Sequence, residues 1–254
     1  MRILIKMHTE AIGMYLTINY NHALSSIIYE TLNTSSKHIP SFLNNKEHLL
    51  DNDKFRLFTF SNLFFNKYKI EDQTIKICDN TIHWYISSPI KEFILNLTRM
   101  LLKQHYITIN NIKFVVDKVI ELRTPTIKDN MRFKALSSLT VSALTQNEDK
   151  PIYYIRHYDP EFSDAVKENL IKKHKQIKGY EPQDTTFKLE FDNEYITKRF
   201  GKIQKKITCK GIDIIGVLSP FRATGNPELI KIGYEAGFGE KGCKGFGMAE
   251  IITE

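Results

Sequence analysis

Gly233 to Met248 reads GYEAGFGEKGCKGFGM, and the rest of the chain is best understood outward from it. Glycines stand at 233, 237, 239, 242, 245 and 247, half of the chain's 12. Glycine at this density means a backbone that visits positive φ or lies against something too close for a Cβ. Lys241, Lys244, Phe238 and Phe246 are interleaved, so the stretch offers amides, positive charge and stacking faces together. That mixture suits a polyanion carrying aromatic bases better than a small anion. The plainer alternative is a tight glycine-rich connection with no ligand. Upstream, Asn226-Pro227 has the form of a helix start, with Leu229, Ile230 and Ile232 on an apolar face. Downstream, Met248 to Ile252 has the length of a closing strand. Residues 237–242 spell GxGxxG, but no strand precedes them, which argues against a dinucleotide-binding loop.

At 254 residues the chain has room for one large domain or two smaller ones. A formal charge of +7 favours an acidic partner. Cys78, Cys209 and Cys243 are far apart and form no CxxC, which points to a reducing compartment and away from a zinc site. No histidines pair as HxH or HxxxH, and no metal or other cofactor is expected. The opening MRILIKMHTE alternates like a strand rather than a signal peptide, and no run reaches membrane-span length. A cytoplasmic chain with no membrane partner, as monomer or homodimer, is the expectation.

Alternation predicts strands over Arg2 to His8, Lys54 to Ser61 and Ile112 to Leu122, and a hairpin of Thr74 to Ile77 with Thr81 to Ser88. Ala23, Leu24, Ile27, Ile28 and Leu32 predict a helix, as do Phe93, Leu97 and Leu101; a short helix is expected from about Ile39 to Lys46. Beyond Pro125, strands are predicted at Met131 to Leu139, Pro151 to Tyr154 and Phe187 to Phe191. A helix is predicted from Asp159 to Gln176, with Lys172 to Lys175 at the end the helix dipole favours, and a hairpin from about Tyr195 to Ser219. Both halves therefore read in the order strand, helix, strands, helix, strand. The fold class is α+β: two tandem ferredoxin-like (RRM-like) units, 1–124 and 125–254. The basic run Lys198 to Lys206 puts Lys202 and Lys206 on one side of that hairpin, a phosphate-tracking surface or simply a solvated face.

Residues 20–29 (YNHALSSIIY), 56–61 (RLFTFS) and the glycine stretch together resemble the CRISPR-associated repeat-RNA endoribonucleases, the Cas six family of the RAMP superfamily. The likeness covers both ends of the chain; between them only the element order agrees. It implies tandem ferredoxin-like units that cut CRISPR precursor RNA within each repeat, without metal, leaving a 2′,3′-cyclic phosphate and a 5′-hydroxyl. The partner is CRISPR repeat RNA, with an effector complex as a further one. The family's catalytic tyrosine matches Tyr29, and its lysine matches Lys54, or Arg56 if the register slips by two. The carried-over RNA contacts are His22, Arg56, Gly237, Gly239, Lys241, Gly242, Lys244, Gly245 and Gly247, beside Lys202 and Lys206.

At Asn44 the sequence departs from the family, which commonly has histidine there, and asparagine transfers no proton near neutral pH. His48 stands four residues later and His38 six earlier, so either is a candidate replacement. Three outcomes stay open: a relocated histidine, slower cleavage by positioning alone, or a repeat-binding subunit that does not cut. Ordinary readings stand beside these: Tyr29 as a half-buried core tyrosine, His48 as a surface histidine, and His22 as a helix cap.

Overall fold

The computed structural model describes residues 1–33, 57–145 and 152–252. Its first unit runs β1 (Arg2–Thr9), β2 (Tyr15–Thr17), α1 (Asn21–Asn33), β3 (Thr59–Phe60), β4 (Phe64–Phe65), β5 (Tyr68–Glu71), β6 (Thr74–Ile77), β7 (Thr81–Ser87), α2 (Lys91–Gln104), β8 (Tyr106–Ile109) and β9 (Ile112–Leu122). The main sheet has the order β3-β7-β1-β9-β8, with β4 also on β7 and every pairing antiparallel. Ile3, Ile5 and Met7 of β1 point into a core that also holds Phe58, Phe60, Trp84 and Phe114. Phe93, Ile94, Leu97 and Leu101 bury one stripe of α2, and the helix stops where His105 turns left-handed and returns its N–H to the Leu101 carbonyl. Asn110 and Asn111, both at positive φ, make the two-residue turn between β8 and β9.

The second unit runs β10 (Asn130–Ala135), β11 (Ser142–Leu144), β12 (Ile152–Tyr154), α3 (Phe162–Lys178), β13 (Phe187–Phe191), α4 (Asn193–Lys198), β14 (Gln204–Cys209), β15 (Ile212–Val217), β16 (Phe221–Gly225), α5 (Pro227–Ala236), a single 3-10 turn (Gly242–Lys244) and β17 (Ala249–Ile251). Its sheet order is β13-β16-β10-β17. Ranking the four main strands of each unit by chain position gives the same permutation, second, third, first, fourth, so the molecule is two tandem ferredoxin-like units. Asn226 caps α5 by accepting the Glu228 N–H, as the Asn-Pro pair predicts.

Several expectations are corrected. Strand β6 pairs with β5 and β2 in a separate three-stranded sheet, not with β7. Asp72 at positive φ turns the chain tightly between β5 and β6, and that local hairpin takes the pairing. The expected hairpin from Tyr195 begins only at Gln204. Before it, Asp192 accepts the Tyr195 N–H and starts the short helix α4. Lys202 therefore stands in an irregular turn and shares no strand face with Lys206. Arg2 alternates with the core-facing Ile3, Ile5 and Met7 yet is buried as well, against Tyr234 of the second unit. The short helix expected at 39–46 lies outside the described residues.

Candidate nucleic-acid interface

The glycine stretch is the seam between the two units. Each of its six glycines stands where a Cβ would strike something. At Gly242 the obstacles are the Phe58 carbonyl oxygen at 2.5 Å and that of Ala236 at 2.8 Å; at Gly245, which has φ +80°, they are the Phe60 ring and the Asn21 side chain. Gly233 makes room for the Phe238 ring. Side chains of the first unit hold the loop's carbonyls. Ser25 Oγ donates to Cys243 at 2.7 Å, Thr59 Oγ1 to Phe246 at 2.8 Å, and Asn21 Nδ2 to Lys244 and Gly245 at 3.3 and 3.4 Å. At the other end of β1, Arg2 donates to the Tyr234 carbonyl at 2.7 Å with its guanidinium 3.7 Å above the Tyr234 ring.

The stacking faces expected of Phe238 and Phe246 are not available, because both rings are fully buried. Phe238 packs within 5.0 to 5.1 Å of Phe133 and Phe221, and apolar burial of that size outweighs exposure. Several loop amides are also spent internally: Phe238 N–H on Gly247, Glu240 on Thr140 and Gly247 on Ser138. What the loop presents is its cations. Lys244 is exposed. Burial pushes the Cys209 thiol up while nearby Lys244 pulls it down, which puts that lysine beside β14. Lys241 is half-buried, 3.4 Å from Glu240 and 5.5 Å from the centre of the Tyr154 ring. Glu240 is itself held by the N–H and hydroxyl of Ser142.

Asn21, Ser25 and Tyr29 follow one another at four-residue spacing, so they form one line along α1. The first two grip the loop; Tyr29 stands one turn on, half-buried, edge-on to Phe58 with the ring centres 5.7 Å apart. His22 is half-exposed in the first turn of the same helix. Lys202 is exposed, and Lys206 is exposed with Asp213 at 3.0 Å. His38, His48, Lys54, Arg56 and Asn44 lie outside the described residues. Among the described residues no group of three or more His, Cys, Asp or Glu gathers to hold a metal, and no helix is long and apolar enough to cross a membrane.

The family model for the C-terminal part of CRISPR-associated Cas6 proteins matches residues 122–251, and a model for the Cas6 N-terminal part matches 15–120. The chain belongs to the Cas6 family. Over its whole length this Cas6 chain is 32% identical to CRISPR-associated endoribonuclease Cas6 1 of Methanocaldococcus jannaschii, covering 94% of that protein. The solved structure of a Cas6-related gene product from Pyrococcus furiosus superimposes with a TM-score of 0.88 at 29% identity, covering all of this chain and 99% of the other. A structure described as a RAMP protein binding different RNA substrates superimposes at 0.83 with 26% identity and full coverage of both chains.

Sequence reasoning missed two sets of residues in this Cas6 fold. The solvent-side register of the two main sheets puts Lys6 beside His83 and Lys118, and Arg132 beside Arg222. Glu250 of the second sheet lies within electrostatic reach of Tyr85 in the first, so the two faces meet there. The Arg132–Arg222 pair is legible only once β16 is known to be a strand, and the group around Lys6 only once β1 is known to lie between β7 and β9. The second is Lys173, read as a dipole-facing lysine but found buried beside His174. Its signal was present: Phe162, Val166, Leu170 and Lys173 continue a single apolar stripe of α3.

Proposed function

We propose that this chain is an endoribonuclease that cuts CRISPR precursor RNA within its repeats. Full-length similarity to a protein named as a CRISPR-associated endoribonuclease is the observation that carries the reading. We take the units as 1–124, bearing the cleavage-site candidates, and 125–254, bearing the glycine loop. Repeat RNA contacts His22, Lys202, Lys206, Lys241 and Lys244, and Arg56 is a further contact. The glycines 237, 239, 242, 245 and 247 serve by letting the loop lie flat between the units, so that its lysines reach phosphates.

The reaction is metal-independent. A ribose 2′-oxygen attacks the adjacent phosphorus as its proton is removed. The bond to the 5′-oxygen breaks, that oxygen gains a proton, and the products end in a 2′,3′-cyclic phosphate and a 5′-hydroxyl. Tyr29 takes the 2′-hydroxyl proton as general base, Lys54 stabilises charge on the phosphate oxygens, and His48 or His38 gives a proton to the departing 5′-oxygen. The line from Asn21 through Ser25 to Tyr29 supports this, because it ties the tyrosine's helix to the loop that carries the cations.

The test is cleavage of a CRISPR repeat RNA in EDTA. Wild type is expected to cut, and Tyr29→Phe to lose about 10²-fold in rate, as removal of a proton-transfer or orienting group does. Loss with only one of His48→Ala and His38→Ala identifies the proton donor. The asparagine at position 44 favours a second reading, a repeat-binding subunit that does not cut. Tight binding by wild type with no product under any condition would establish that reading and refute the nuclease.

A further inference from the structure

Lys173 is buried in the second unit, yet among the described residues no carboxylate forms an ion pair with it. Its Nζ instead donates to three backbone carbonyls at the entrance of the glycine loop: Gly237 at 2.6 Å, Gly239 at 2.7 Å and Ala236 at 3.2 Å. Three donors meeting three acceptors is the full capacity of an ammonium. Gly237 and Gly239 are both at φ +90°, so their carbonyls are turned out of any regular ladder and need a donor from elsewhere. Neighbouring His174 faces another way, with Nδ1 2.9 Å from the Tyr180 carbonyl and Nε2 3.5 Å from Glu228.

We propose that Lys173 is a positioning residue for RNA binding, a buried brace that holds the glycine loop in the shape that presents Lys241 and Lys244. The RNA part rests on the function proposed above; the brace itself does not. Removing the donor leaves three inward carbonyls without a partner, and the loop escapes that penalty only by opening to water. Opening also lets the lysine regain solvent. Burial pushes its pKa down to about 7 with the loop docked, against 10.5 ordinarily, with Cys243 and Glu240 opposing the shift. Above pH 7 the docked amine is neutral and keeps two donors for the three carbonyls, while the open form binds more protons, so by linkage docking tightens as pH rises through that window.

The experiment is hydrogen exchange of the Phe238, Glu240 and Gly247 amides, with repeat-RNA affinity measured in parallel, for wild type, Lys173→Met and Cys243→Ser. Methionine keeps length and apolar packing but donates nothing. Exchange at these amides is expected to quicken by about tenfold and RNA Kd to rise by about tenfold, with the cleavage rate at saturating RNA changed less. Corrected for intrinsic exchange, wild-type and Cys243→Ser protection should climb from pH 7 to 9, and Lys173→Met should be flat. Unchanged loop exchange in a folded Lys173→Met protein would overturn the brace. If that variant does not fold, the wild-type Lys173 Nζ protons decide: slow exchange with water supports the brace, and exchange as fast as that of an exposed lysine refutes it. Faster exchange in Lys173→Met, together with a wild type that ignores repeat RNA, would keep the brace and discard the RNA reading.

Discussion

Gly242→Ala isolates what the glycine seam does. The new methyl would sit 2.5 Å from the Phe58 carbonyl oxygen and 2.8 Å from that of Ala236. Both obstacles are backbone, one in each unit, so no side chain can rotate away and the units must part. Overpacking a tight site costs about 1–3 kcal/mol, and two immovable obstacles place this change near the top, about 3 kcal/mol. For a chain of this size, each kcal/mol moves the melting temperature by about 2–4 °C, so a fall of about 6–12 °C is expected. Gly211→Ala is the control. Gly211 lies in the turn between β14 and β15 at φ +77° with nothing within 4 Å of a Cβ, so only the left-handed backbone penalty of about 1–2 kcal/mol applies. Thermal unfolding followed by circular dichroism reads both, and repeat-RNA binding should weaken only for the seam variant. A Gly242→Ala protein melting within about 2 °C of wild type would refute the packing argument.

Two further changes separate core from rim. Phe238→Ala removes a fully buried ring from the cluster with Phe133 and Phe221 and should cost about 3–5 kcal/mol in denaturant unfolding; an exposed stacking ring would cost far less. Lys244→Ala, at an exposed position, should leave stability unchanged and lower the slope of log affinity against log salt by about 0.7, the value for one phosphate contact on single-stranded RNA. An unchanged slope would remove Lys244 from the interface.

Much of the architecture could be read from the chain because apolar period and caps agree there. The stripe Phe93, Leu97 and Leu101 gives α2, Asn226-Pro227 gives the start of α5, and the alternation of Ile3, Ile5 and Met7 gives β1. Strand β16 escaped because FRATG is short and ends in glycine, although it is central in its sheet. The pairing of β6 escaped because periodicity identifies a strand but not its neighbour. At the site, glycine spacing reveals that a Cβ is excluded, not what excludes it. A ligand and neighbouring protein leave the same mark, and here Phe58, Phe60 and Thr140, with the loop's own Phe238 and Phe246, do the excluding. Lys173 hid for a related reason: a lysine in the last turns of a helix has an ordinary explanation in the dipole, and only its place on the apolar stripe told against it.

The seam has a consequence for synthesis. Cys243 packs against the core of the first unit, and the loop's carbonyls take up donors from Asn21, Ser25 and Thr59, more than 180 positions earlier. A ribosome releases residues 1–124 long before it makes the segment that covers them. Until then Phe58 and Phe60 border a face with no lid, and closing it joins the two ends of the chain. Such long-range closure is slow and leaves a sticky intermediate. A nascent chain stopped short of residue 237 should therefore be a substrate for chaperones even though its first unit has every strand and helix it will ever have.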